Sequence, residues 1–440
     1  MFIERIEDCD KLISKLELED SIVIPIFESS KLHTYDNNLS FLFIRFLNDE
    51  SWSVVSRNHY DIIYNESIFK NILNKLINLK NNYSFILNKK YLINYLNKNK
   101  LEYNTNNLID INLIAFFKNL NLISNWNIPY NFTKFKLDNN LFPIVKWIPE
   151  LIKISDSIKK ILDKKIILDP TFEIYNNSII DIISNLESNG IYVSEEFFKE
   201  VPKFKSTSNI IYQDINFYNK TGRLSSTFSG FNFFAINKKE NYAKHLVSRW
   251  GKDGKLISID YRAFHLYLIG ELVGYKFSDY PYLEFAKKLL AKSDPTPEQI
   301  KSIKPLVFKN LYGHSSELKE LEFFKKLNEF VNELYKNYKS SLGLYTKVLG
   351  RNINGLPDDP RSILNWYLQG YEFETTIIII ERVLSHLAHS KSHLILTLYD
   401  SFIFDWYIPD GKELLEEIVN IIKDNRFEVS FKNADSYNNL

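Results

Sequence analysis

Two short apolar runs, far apart in the chain, each end in an aspartate, and this pairing constrains the fold more than anything else in the sequence. The first is Leu256-Ile257-Ser258-Ile259-Asp260-Tyr261. The second is Leu394 to Tyr399 followed by Asp400, then Ser401 and another apolar run, Phe402-Ile403-Phe404-Asp405-Trp406. Runs of this length and β-branched content predict buried strands. Carboxylates at neighbouring strand ends can converge on a pair of divalent cations, the minimum equipment for in-line attack on a phosphate.

At 440 residues the chain suits two or three domains. Lys+Arg number 55 and Asp+Glu 54, so no global field advertises a polyanionic partner, although basic residues confined to one groove would still serve one. The single cysteine, Cys9, excludes a disulfide framework and a cysteine-based zinc site. The first residues, Met1 to Asp8, lack the pattern of a signal peptide, and no uncharged apolar stretch is long enough to span a bilayer. The run Ile377 to Ile380, flanked by Glu372, Glu374 and Glu381, reads as a buried helix. A cytoplasmic protein with no membrane partner is expected.

Residues 1–165 alternate short strands (Ser21 to Phe27, Phe41 to Leu47) with helices such as Ser67 to Leu79. A looser region around Leu168-Asp169-Pro170 leads into a helix from Ser178 to Ser188, which Asn189-Gly190 should stop in the left-handed conformation. Further on, Thr296, Pro297 and Gln299 form the signature of a capped helix start. In that helix Lys304, Phe308 and Tyr312 recur every four residues with Lys301 beside them, and Gly313 ends it. One face carrying two lysines and two aromatics suits gripping a triphosphate and stacking on a base, or equally an amphipathic helix with snorkelling lysines. The segment Thr221-Gly222-Arg223-Leu224-Ser225-Ser226-Thr227 combines a permissive glycine, a planar donor fork and hydroxyls able to reach phosphates.

Taken as strings, these segments resemble the family A DNA polymerases of the bacterial DNA polymerase I type. Thr221 to Thr227 is similar to that family's TGRLSST element, Asp260-Tyr261 to motif A, and Lys304, Phe308, Tyr312 and Gly313 to motif B. Arg361, Asn365, Gln369 and Gly370 match a helix of the family. Gly350-Arg351 with Leu356-Pro357 resembles the segment before it, and Asp400 the aspartate of motif C. Glu187 to Val193 resembles the element that opens the polymerase domain. The resemblance covers roughly residues 180–440.

The resemblance implies a mixed α/β chain with a right-hand polymerase fold: a palm with an antiparallel sheet, helical fingers and a reduced thumb, preceded by an RNase H-like exonuclease-type domain. The expected limits are 1–165 for the exonuclease-like domain, 166–220 for connector and thumb, and 221–440 for palm and fingers, the fingers over about 275–350. It implies that Asp260, Asp400 and the Tyr261 carbonyl hold two Mg²⁺ ions, for which Mn²⁺ substitutes. Lys304, with Lys301, would meet the triphosphate and protonate the pyrophosphate, Phe308 would pack on sugar and base, and Tyr312 would guard the template position. Arg223, Ser225, Ser226, Arg351, Arg361, Asn365 and Gln369 would contact the nascent duplex. The implied partners are primer-template DNA, dNTPs and a processivity or other replication protein.

The chain departs from the family in several places. Where the family's sugar-screening Glu stands, five residues after the motif A aspartate, this chain has His265. Ser401 follows Asp400, as in single-subunit RNA polymerases, so an RNA-synthesising relative stays open; a catalytically inactive DNA-binding scaffold is the other alternative. Pro305 should kink its helix. Finally, no Asp-x-Glu strand occurs near Pro25 to Glu28, and Leu92 replaces the aspartate expected after Asn88, with Asp110 and Asp156 as remnants, so the exonuclease-like domain is expected to have lost its metal site.

Overall fold

The computed structural model describes residues 1–440 except 29–32, 58, 63–64, 121–142, 203–207, 227–231, 314, 316 and 341–342, so Thr227 lies outside the described residues. The chain divides into two compact units, one built on Met1–Ile191 with Phe198–Tyr218, the other on Tyr192–Phe197, Asn219–Ser226 and Asn232–Leu440.

The first unit is a five-stranded mixed sheet flanked by helices. Strands β1 (Ser21–Phe27), β2 (Leu39–Phe46) and β3 (Trp52–Ser56) form an antiparallel meander, and β4 (Ser84–Ile86) and β5 (Leu108–Asp110) join parallel to β1. The sheet order β3-β2-β1-β4-β5 is the RNase H-like arrangement expected from the sequence. All seven residues of β1 are buried, as the absence of alternation in its sequence requires of a strand covered on both faces. Pro25 is tolerated there because it lies past the end of β4, where its missing N–H interrupts no ladder bond on that side. Helices α1 (Ile6–Leu18) and α2 (Glu66–Leu76) bury Leu12, Leu16, Ile72 and Leu73 in one core with Val23, Leu42 and Ile44. The unit also holds α3 (Lys89–Lys98), α4 (Ile111–Phe117), α5 (Ile144–Ile161) and α6 (Ile180–Ser188). The region around Pro170 is tighter than its sequence suggests. Asp169 accepts hydrogen bonds from the Thr171 and Phe172 amides, caps a helical turn at Pro170–Ile174, and a π-helical segment carries the chain straight into α6. Gly190 ends that run at φ +55.

The second unit centres on a four-stranded antiparallel sheet, with β6 (Gly254–Tyr261) between β8 (Ser401–Tyr407) and β9 (Val429–Ala434), and β7 (His393–Leu398) outside β8. Around it stand α7 (Phe264–Leu272), α8 (Pro281–Leu290), α9 (Pro297–Tyr312), α10 (Glu322–Lys339), α11 (Pro360–Leu387) and α12 (Lys412–Lys423). The capping box at the start of α9 forms as its sequence predicts: the Thr296 side chain accepts from the Gln299 amide and the Gln299 side chain from the Thr296 amide. α9 is continuous through Pro305 to Tyr312, and both Pro305 and Lys301, the residue one turn earlier whose carbonyl loses its helical partner, are exposed. The isoleucine run lies within the 28-residue α11, buried along most of its length. Among the described residues no helix is long and apolar enough to cross a membrane.

Candidate active site

The register of β6 against β8 brings the two aspartates together. Asp260 pairs with Ser401, the residue after Asp400, and the Tyr261 amide donates to the Asp400 carbonyl at 2.9 Å. The Ser258 hydroxyl donates to Asp260 Oδ2 at 2.8 Å and fixes that carboxylate. Burial raises the Asp400 carboxyl above the usual carboxylate range, and the nearby charges of Glu372 and Asp260 add to the rise while His265 opposes it. Three carboxylates thus share one neighbourhood. Tyr261 is pinned below them: its hydroxyl donates to the Ile422 carbonyl at 2.8 Å and its ring stacks on Phe264.

Asp400 sits in the tight turn between β7 and β8, where Tyr399 takes a left-handed backbone at φ +60. For a bulky residue this conformation is strained. The Arg223 guanidinium lies 3.6 Å from the centre of the Tyr399 ring and holds that face of the turn. Arg223 comes from the tight turn opened by Gly222, whose φ of +79 suits glycine; a Cβ there would also lie 3.2 Å from Phe373 and 3.3 Å from Arg351 Nη2. Asn219 closes the turn by donating to the Arg223 carbonyl and the Ser225 hydroxyl at 2.7 and 2.9 Å, and Ser225 and Ser226 are half-buried.

On α9 the face foreseen in the sequence is present. Phe308 and Tyr312 stack with ring centres 6.0 Å apart, and Phe308 is 48% exposed, which is unusual for an aromatic of that size. Lys304 lies over the Tyr282 ring at 5.0 Å, and Lys301 is exposed one turn earlier. At the other end the Tyr312 hydroxyl pairs with His265 Nδ1 on α7, and His265 Nε2 meets Glu372 Oε2 of α11 at 3.0 Å. Glu372 also accepts from Arg223 Nη2 at 3.4 Å. A continuous chain of contacts, Tyr312–His265–Glu372–Arg223–Tyr399, therefore links α9 to the turn carrying Asp400.

The remaining expected duplex contacts fall in two groups. Asn365 and Gln369 share a face of α11 and bond each other at 3.2 Å, and Arg361 at the start of that helix donates to the Leu311 carbonyl and to Asn328. Arg351 is 5% exposed, and its guanidinium donates to the Lys220 carbonyl at 3.3 and 3.4 Å, bracing the turn that carries Arg223. Sequence reasoning missed Glu372, which stood out only as a flanking charge of an apolar helix; a carboxylate one helical step from such a run, and 3% exposed, needs partners.

In the first unit the positions expected for an exonuclease metal site are otherwise committed. Asp110 is fully buried and caps α4, accepting from the Leu113 and Lys89 amides at 2.7 Å. Asp156 pairs with Arg45 at 2.6 Å. The described residues do contain one three-ligand group, His33, Glu187 and Asp214, with ligand atoms within 4.8 Å of one another. Lys90 already serves that group as its cation: Nζ is 2.6 Å from both carboxylates and donates to the Ile215 carbonyl at 2.8 Å.

No family model and no curated protein matches the sequence. Among solved structures, the chain resembles the POL domain of Pol1 from M. smegmatis, determined in complex with DNA primer-template and dNTP, at a TM-score of 0.69 and 15% identity, over 100% of this chain and 99% of that one. At that identity the likeness establishes the fold: a polymerase-domain architecture spans the whole chain.

Proposed function

We propose that the chain is a template-directed DNA polymerase of the family A type that adds dNTPs to a primer 3′-hydroxyl. The observation that carries this is the adjacency of Asp260 and Asp400 at strand ends, beneath an α9 face of Lys304, exposed Phe308 and Tyr312. The solved neighbour of the same fold holds DNA primer-template and dNTP, which supports the same substrates here.

The oxygen-only donors Asp260, Asp400 and the Tyr261 carbonyl suit Mg²⁺, two ions in this reading with Mn²⁺ as substitute; burial first, and then the charges of Glu372 and Asp260, raise the Asp400 carboxyl, and a bound cation would offset both. Bound there, the ions supply charge neutralisation at the reacting phosphate and activation of the primer hydroxyl. The protein's own groups do the rest. Lys304 takes the triphosphate and donates the proton that the leaving pyrophosphate needs. Phe308 offers its open ring to the incoming base and sugar, and Tyr312 closes the pocket behind them. Arg223, Ser225, Ser226, Arg361, Asn365 and Gln369 hold the nascent duplex, where minor-groove acceptors test pairing shape without reading sequence. Arg351 supports that role from beneath, through the Lys220 turn.

The reading includes a first unit without proofreading, supported by Lys90 in the carboxylate group and by the structural commitments of Asp110 and Asp156. It also includes weak unaided grip on the template, made good by a processivity partner. Between Val193 and Thr221 the described residues offer only the helical turn Phe197–Glu200 and two two-residue strands. A cytoplasmic setting follows from these substrates. The test is incorporation on a primed template with each of the four template bases at the first position. Extension by the complementary dNTP alone supports the proposal; addition indifferent to the template, or none, refutes it.

A further inference from the structure

We propose that Arg262 is a further phosphate-binding residue of this site, one that exchanges Glu428 for the triphosphate tail of the incoming nucleotide and then for the pyrophosphate that leaves. The inference rests on the polymerase reading and deepens it. Arg262 follows directly on Tyr261, and its amide extends the β6–β9 ladder by donating to the Glu428 carbonyl at 2.8 Å. Strand alternation therefore puts Arg262 on the side of Asp260, with the two Cα atoms roughly 7 Å apart. Its guanidinium lies 4.2 Å from the centre of the Tyr280 ring, the Tyr280 and Tyr282 rings are 5.7 Å apart, and Lys304 Nζ stands 5.0 Å from the Tyr282 centre. Arg262 and Lys304 thus occupy opposite ends of a two-tyrosine shelf that runs from the strand end of the aspartates to α9. A nucleotide with its α-phosphate at the aspartates and its tail toward Lys304 lays that tail along the shelf.

The partner Arg262 holds in the free chain is easily exchanged. Nη1 donates to Glu428 Oε2 at 3.3 Å, and the two side chains are 45% and 44% exposed. An exposed pair of this kind contributes little in water. A phosphate gives the planar guanidinium fork two acceptors at once and carries more charge than one carboxylate. Tyr280 keeps the guanidinium in place while its partner changes. Glu428 is therefore a competitor of the substrate for Arg262, and the two residues of one ion pair have opposite effects on nucleotide binding.

The experiment measures the KM for one dNTP, and its inhibition by inorganic pyrophosphate, on a primed template with the full-length chain. Arg262→Ala should raise both the KM and the pyrophosphate inhibition constant by about tenfold or more, the loss expected of a hydrogen bond to a charged group. The effect should fall on KM more than on kcat, because the contact is made before and after the chemical step alike. Glu428→Gln removes the competing carboxylate and should lower the KM by up to about fivefold, the strength of an exposed pair. A pair with only a structural role predicts that the two variants act alike, since each breaks it. A KM that rises in both variants, or a KM and an inhibition constant that stay unchanged in Arg262→Ala, overturns the inference while leaving the polymerase reading intact. Failure of the unsubstituted protein to extend a primer overturns that reading, and the inference with it.

Discussion

Replacing Lys90 with methionine removes the cation from a buried acidic pair while keeping most of the side-chain volume. Lys90, Glu187 and Asp214 are 5%, 0% and 9% exposed, so neither carboxylate can recover its hydration in place. Burial alone would pull the Lys90 ammonium down and push the Asp214 carboxyl up. The close ion contacts reverse both directions, so that Lys90 stays raised and Asp214 stays low. Without Lys90, Glu187 keeps the Ile215 amide at 2.6 Å and Asn94 at 2.8 Å, and Asp214 keeps the Tyr91 hydroxyl at 2.8 Å. One of the two acids then relieves the repulsion by taking up a proton. At pH 7 that costs about 3 pH units above an ordinary carboxylate, or ~4 kcal/mol, within the ~3–5 kcal/mol typical of orphaning one partner of a buried pair. At pH 5 the same proton costs only about 1–1.5 kcal/mol. Amide hydrogen exchange along α3 reads this unit separately from the other. The variant should lose ~4 kcal/mol of protection free energy at pH 7 and regain most of it at pH 5. A loss below about 1 kcal/mol at pH 7, or one that does not shrink on acidification, would refute the assignment of Lys90 as the compensating charge.

Burial and then the Arg249 charge hold His393 neutral, lowering its pKa to about 4. Because the unfolded chain binds the proton more tightly, stability is complete above about pH 6.5 and falls as pH drops toward 4, by ~1–3 kcal/mol. His393→Phe keeps the stacking on Trp250 and should flatten the melting temperature over this window; an unchanged slope would count against the argument. Gly222→Ala should cost ~1–2 kcal/mol through the positive φ and the Phe373 contact, and should weaken primer-template binding, measured by fluorescence anisotropy, because the turn carries Arg223. Tight binding in that variant would detach the turn from the duplex.

Much of this architecture was legible from local chemistry. The strand Ser21–Phe27, the capped start of α9 and the two aspartate-terminated runs need only burial, capping and period to recognise, and each forms as its residues predict. Element ends depend on more than composition: α2 stops at Leu76, short of the Leu79 its composition allows. The sequence hid whatever depends on distant partners. Glu372 meets His265, Lys90 meets Glu187 and Asp214, and Asp110 meets Tyr218 across separations that no periodicity reports.

Catalysis in this chain requires Asp260 and Asp400 to act together. Single-turnover incorporation of one dNTP at saturating Mg²⁺, in the unsubstituted chain and in Asp260→Asn and Asp400→Asn, tests it most directly. Each substitution should slow the chemical step by about a thousandfold or more, with primer-template affinity within about threefold of the original, since the neutral amide keeps the shape but not the charge. Incorporation that survives either change at a near-normal rate would contradict it.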